Sequence, residues 1–309
     1  MSRFSKILLS LAIAVALMLL PLRAEALLLT KATSKAIAQN FFESGINKMQ
    51  SGDYQEAIEN FTQATQIKAN FTAAYMNRCL AYLQQSEYQK AIEDCTQALQ
   101  SNPENPEAYL NRGLAYYRLG LTPTAIADYT SVIQLKPQDY RAYYNRGLAR
   151  FDQEDYESAI ADYNQALRQT PTLHSQALSS VYNDRGLVYL QLGNLQGAIA
   201  DFSLAIRLNT DDARAYYNRG CACHRQGAYS HAIRDFTQSI QRHPNQAEAY
   251  INRGIARYQL GYQQAALKDL QRGAECFFHQ GQMVAYHQTL SLIQKLRQPS
   301  PSDSESAIA

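Results

Sequence analysis

Six arginines, Arg78, Arg112, Arg146, Arg185, Arg219 and Arg253, are each followed sixteen residues later by an aspartate: Asp94, Asp128, Asp162, Asp201, Asp235 and Asp269. Guanidinium and carboxylate groups in such a register could grip a charged ligand or grip each other. Where the same register passes through Ser44 and Asn60, both partners are missing together. Joint presence and joint absence favour a structural ion pair over ligand binding. Immediately before each arginine stands a carboxamide or its acid: Asn77, Asn111, Asn145, Asp184, Asn218 and Asn252. A carboxamide both donates and accepts, so a row of them on one face matches the C=O and N–H groups of an extended peptide backbone regardless of its side chains. The plainer alternative is that these amides face water.

Beside the amides runs an apolar stripe that includes Leu110, Leu114, Tyr117, Tyr144, Leu148, Phe151, Tyr217, Cys221, His224 and Tyr258. Such a stripe either receives apolar side chains of a partner or packs between neighbouring helices. The five cysteines follow no spacing of a small disulfide framework. Cys79 and Cys95, sixteen residues apart, occupy facing core offsets and either bridge or serve as two small apolar fillers. Cys221, Cys223, His224 and His231 are too poorly aligned for a metal, because residues i and i+2 of a helix point apart. No Gly-rich phosphate loop, G-x-S-x-G or H-E-x-x-H occurs, so neither catalysis nor a cofactor is expected.

The elements that must position these residues recur. The triplet Asn-Arg-Gly ends at Gly113, Gly147, Gly220 and Gly254, with variants ending at Gly45, Cys79 and Gly186; taking those third residues as anchors, the steps are 34, 34, 34, 39, 34 and 34. Twelve residues past the anchors come Ala57, Ala91, Ala125, Ala159, Ala198, Ala232 and Ala266; sixteen past come Phe61, Cys95, Tyr129, Tyr163, Phe202, Phe236 and Leu270. Apolar positions at i, i+4 and i+7, such as Tyr109, Gly113 and Tyr116, predict two amphipathic helices per unit. Gly52, Gly120, Gly193, Gly227 and Gly261 mark the turn between them, and Asn102-Pro103, Lys136-Pro137, Thr170-Pro171 and His243-Pro244 end units.

With these offsets the chain resembles the tetratricopeptide-repeat (TPR) family over residues 38–280. The resemblance implies an all-α, right-handed solenoid of seven helix pairs with a concave groove lined by the first helices. The units are 38–71, 72–105, 106–139, 140–173, 179–212, 213–246 and 247–280, with an insertion at 174–178. The departures are Cys79 at an anchor, Arg150 and Arg257 three residues after theirs, and Gly273 where most units have Ala. TPR first helices often carry Trp four residues before the anchor. Here that slot holds Tyr75, Tyr109, Tyr143, Tyr182, Tyr216 and Tyr250, which accounts for much of a set of 22 Tyr and no Trp. Stacked repeats need a capped end. Residues 281–298 are expected to cap with Tyr286, Leu290 and Ile293 inward, and 27–37 to form an N-terminal linker or cap. The insertion has no helix breaker, so the first helix of the fifth unit is expected to begin more than a turn early and to divide the groove between units 1–4 and 5–7.

Arg3 and Lys6, an uncharged run from Ile7 to Leu20, and Ala24-Glu25-Ala26 give residues 1–26 the form of a cleaved signal peptide; the alternative is an uncleaved anchor. Removing Arg3, Lys6, Arg23 and Glu25 takes 29 basic and 27 acidic residues to 26 of each. A formally neutral chain of this kind is a poor partner for nucleic acid. Residues 299–309, rich in Ser and Pro, are expected to form a disordered tail. The expectation is therefore a non-catalytic, exported scaffold, in a periplasm or thylakoid lumen, that binds extended segments of other proteins. Similar TPR proteins of photosynthetic bacteria imply a role in assembly or maturation of a membrane complex, with a membrane-tethered organiser as the alternative.

Overall fold

Several helices start at a residue whose side chain caps the backbone N–H groups, and the first helix of each repeat stops at a turn that requires a left-handed residue. The computed structural model describes residues 32–169 and 175–297. The proposed leader and Ser/Pro tail lie outside them. Asn105 Oδ1 accepts from the N–H groups of Glu107 and Ala108 with Pro106 at the first helical position, and Asp139 and Asp212 cap in the same way at Arg141 and Arg214. The turns inside units use Gly52, Gly120, Gly193, Gly227 and Gly261 at positive φ. In the two units that lack a glycine there, Ser86 and Glu154 take the same conformation, at φ 60° and 61°. Their sequences hid the turn because the backbone imposes it whichever residue is present.

Every described element is an α-helix. In the unit ending at Pro137, residues 32–51 are helical (α1) and are followed by α2 (Tyr54–Ile67), α3 (Thr72–Gln84), α4 (Tyr88–Ser101), α5 (Pro106–Arg118) and α6 (Thr122–Leu135). Of the stretch 27–37 assigned as an N-terminal linker or cap, residues 32–37 belong to α1 and 27–31 lie outside the described residues. From Gln138 onward the second unit contains α7 (Tyr140–Asp152), α8 (Tyr156–Gln169), α9 (Ser175–Gln191), α10 (Leu195–Leu208), α11 (Ala213–Arg225), α12 (Tyr229–Arg242), α13 (Ala247–Gln259), α14 (Gln263–His279) and α15 (Met283–Arg297). Within each unit consecutive helices pack as hairpins. First helices also pack on one another: α3 on α5 in the first unit, and α7 on α9, α9 on α11 and α11 on α13 in the second.

Each hairpin closes around one contact. A Cβ added at Gly147 would lie 2.8 Å from the Tyr163 ring, and at Gly186 2.7 Å from the Phe202 ring. The small anchor is therefore required by a fully buried aromatic on the second helix. Cys79 departs from this rule because its partner departs too: Cys79 and Cys95 are disulfide-bonded, a covalent link where five other repeats have a glycine against a ring and the seventh has Gly254 against Leu270.

The irregular step of 39 is taken up at α9, which has 17 residues against 13 in α5, α7, α11 and α13. Residue 174 lies outside the described residues. The extra turn does not separate the units on either side of it, since α7 packs on α9 and their side chains are hydrogen-bonded. At the C-terminus, Ile293 and Thr289 of α15 are buried, but Leu290 is 39% and Val284 73% exposed. The inward placement expected for Leu290 is thus incorrect.

Candidate functional site

The arginine–aspartate register forms two-pronged ion pairs across each hairpin. Arg112 Nε and Nη2 donate to Asp128 at 2.9 and 2.8 Å; Arg78, Arg185, Arg219 and Arg253 make the same pairs with Asp94, Asp201, Asp235 and Asp269. Arg146 joins Asp162 likewise. Each guanidinium also lies over the tyrosine three residues earlier, as Arg112 does over Tyr109 at 5.5 Å and Arg253 over Tyr250 at 5.5 Å. The tyrosines in the usual Trp slot therefore have a packing partner.

The third arm of the arginine reaches the preceding helix pair in several units. Arg78 donates to Thr62, Arg112 to Thr96, Arg219 to Ser203 and Arg253 to Thr237, at 2.9–3.2 Å. Sequence reasoning missed these hydroxyls. The signal was present, because each follows directly on the residue sixteen past an anchor. Thr62, Ser203 and Thr237 also donate to the carbonyl four residues earlier, leaving an oxygen lone pair for the arginine. Arg150 and Arg257, which looked like lost aromatics, each place Nη1 2.8 Å from the aspartate already held by Arg146 or Arg253.

The amide row is not uniform. Asn77 Nδ2 donates to the carbonyl of Ala73 on its own helix at 2.8 Å. In the second unit three rungs, Asp184, Asn218 and Asn252, are tied to the neighbouring first helix. Tyr144 Oη donates to Asp184 at 2.7 Å, Asn218 Nδ2 donates to Asn183 Oδ1 at 2.9 Å, and Asn252 Nδ2 donates to Tyr217 Oη at 3.0 Å. Among the described residues the half-buried side chains of Asn111 and Asn145 make no such bond.

The apolar stripe is divided between core and surface. Leu110 is 6% exposed and belongs to the core, which corrects its assignment to the groove. Tyr117, Tyr144, Phe151 and Tyr217 are half-buried, and Tyr258 is exposed. Tyr144 and Phe151 pack on the Tyr163 cluster, and Tyr217 on the Phe236 cluster. They thus support the second helices while presenting one edge outward. Between α13 and α15 lies a cavity of about 270 Å³ lined in part by Tyr217, Ile251 and Asn252.

Asp184 is the acid among the amides. Burial pushes its carboxyl above the ordinary 3.8, against hydrogen bonds from Tyr144 and Asn183 that pull it down. A carboxyl whose folded value is raised stabilises the fold fully below its unfolded value, and this contribution is lost as pH rises through the folded one. Asp184→Asn is therefore expected to raise the melting temperature at pH 7, with the gain vanishing below about pH 4. An equal gain at both pH values, read by calorimetry, would show that charge burial is not the cause.

Among the described residues no group of three His, Cys, Asp or Glu could hold a metal, and no helix is long and apolar enough to cross a membrane. Hairpins with a small anchor facing an aromatic, stacked through neighbouring first helices, define a helical-repeat protein. Four sequence profiles of the tetratricopeptide repeat match, over 38–71, over 80–120 and 186–227, over 110–174, and over 213–246. The chain carries tetratricopeptide repeats.

Solved structures agree with this fold. A tetratricopeptide repeat protein from Parabacteroides merdae shares 20% identity, with 84% of this chain and 99% of that one covered at a TM-score of 0.63. Pseudomonas aeruginosa pilF shares 19% over 71% and 96% at 0.60. YrrB, described as a TPR protein with an unusual peptide-binding site, shares 23% over 60% and 93% at 0.51. At such identities these likenesses establish the fold alone. No curated protein sequence matches the chain.

Proposed function

We propose that this chain is a non-catalytic scaffold whose first helices bind extended segments of other proteins, and that it is exported and supports assembly or maturation of a membrane-associated complex. The observation that carries the binding role is the half-buried Asn111 carboxamide, which lies on α5 with no side-chain hydrogen bond among the described residues, between Leu110 in the core and the half-buried Leu114 and Tyr117. A carboxamide in that position can pair with both groups of a passing peptide unit. Export is supported by the composition of residues 1–26 and by the Cys79–Cys95 bridge, since disulfides persist mainly in oxidising compartments.

The binding role is tested by crosslinking and mass spectrometry in the native host, comparing the wild type with Asn111→Ala plus Asn145→Ala. Partner recovery is expected to fall about tenfold, corresponding to roughly 1.4 kcal/mol, with unchanged melting. Full recovery by the double variant removes the amide role. The intact mass decides export: a start at Leu27 indicates cleavage, whereas retained residues 1–26 favour a tethered organiser.

A further inference from the structure

Two small residues open the space at the end of the second unit. Positions 217, 251 and 285 are equivalent, 34 residues apart, and carry Tyr, Ile and Ala in turn. Whereas α9 packs on α11 and α11 on α13, α15 makes no comparable contact with α13. Ala285 thus withdraws the side chain that earlier first helices place against their neighbours. On the other side Ile251 leans into α14, its Cδ1 occupying the space that a Cβ on residue 273 would need. Gly273 is the position at which most units have Ala. Its missing methyl lets Ile251 sink away from the gap.

The result is the cavity of about 270 Å³, walled by Tyr217, Ile251, Phe277 and Leu292. An apolar cavity of about 150 Å³ admits benzene, so this one has room for a Phe or Leu side chain. Its rim is polar. Asn252 donates its amide to Tyr217, leaving its carbonyl oxygen as an acceptor, and the Gln288 side chain is exposed. Glu248 is exposed and is the one charged residue among those lining the cavity.

We propose that this cavity is a docking pocket for an extended partner segment that inserts a bulky apolar side chain between α13 and α15 and places an adjacent lysine or arginine on Glu248. The inference rests on the scaffold reading above and specifies its partner. The walls select an apolar group, the carboxylate selects positive charge, and the Asn252 and Gln288 amides meet the intervening backbone.

A random heptapeptide phage library, selected on the full chain, tests it. Enriched peptides are expected to pair Phe, Leu or Met with Lys or Arg within two residues, and to bind at least tenfold more weakly to Ala285→Phe, which fills the cavity. Glu248→Lys, a surface change that leaves the packing intact, is expected to reverse the preference to Asp or Glu even if Ala285→Phe folds poorly. Peptides without a basic residue, or unaffected by both variants, overturn the assignment. If they instead respond to Asn111→Ala, the scaffold reading survives; no enrichment at all overturns both. A dimer that Ala285→Phe dissociates also overturns the assignment and makes a second copy the occupant.

Discussion

Arg112→Met alone is expected to destabilise the first unit by about 3 kcal/mol, at the lower end of the range for breaking a buried pair. The Arg112 side chain is 18% exposed and that of Asp128 7%, so the carboxylate left behind has little access to water. The same substitution frees the Thr96 hydroxyl and removes the cation over Tyr109. Arg112→Met combined with Asp128→Leu replaces both charges by apolar groups and is expected to cost at least about 1 kcal/mol less than the sum of the two single changes. Urea unfolding of the four proteins measures the coupling, and strict additivity would mean that the pair is screened by solvent. Arg146 is the wrong place for this experiment, because Arg150 also holds Asp162 and would cover the loss.

The second large effect belongs to Cys79 and Cys95. Replacing both by Ala removes a cross-link between residues 16 apart and leaves two small side chains where five other repeats have a glycine against a ring. Closing a loop of about 15 residues is worth roughly 3 kcal/mol in the chain-entropy account, so a loss of that order is expected. Cys79→Gly with Cys95→Tyr copies the pair that Gly113 and Tyr129 form in the next helix pair, and should recover much of the loss. The wild type should melt lower after unfolding in reductant, and the Gly/Tyr variant should be indifferent to it. A wild type unaffected by reductant would show that the bridge adds nothing to stability.

Both effects are partly legible in the order of residues alone. A spacing of sixteen between Arg and Asp, repeated with its anchors, implies that one side chain crosses a hairpin to the other. The anchors themselves are legible because glycine and ring occur together, and the buried contact between Gly147 and Tyr163 is what that co-occurrence reflects. The bridge is ambiguous at that level, since two cysteines at core offsets fit equally well as fillers.

The groove is less legible. Asn218 and Asn252 look equivalent to Asn111 in sequence, yet they are bonded to Asn183 and Tyr217 of the preceding first helix. For these two rungs the residue 35 positions earlier is a polar acceptor, whereas 35 positions before Asn111 stands Met76, which offers none. Leu110 has the same offset as Tyr144 and Tyr217, but it is short enough to sink into the core. Arg150 and Arg257 interrupt an aromatic pattern and turn back onto aspartates twelve residues ahead.

By itself, then, the sequence determined the class of fold, the register of its units and the pairing of charges across each hairpin. These depend on residue types at short, fixed offsets, and a helix pair satisfies them locally. Only the tertiary structure decided which amides remain unbonded, which apolar side chains face outward and where a cavity opens. Those outcomes depend on side-chain volumes meeting from successive units, as Ala285, Ile251 and Gly273 do, and no periodicity within one unit encodes that sum.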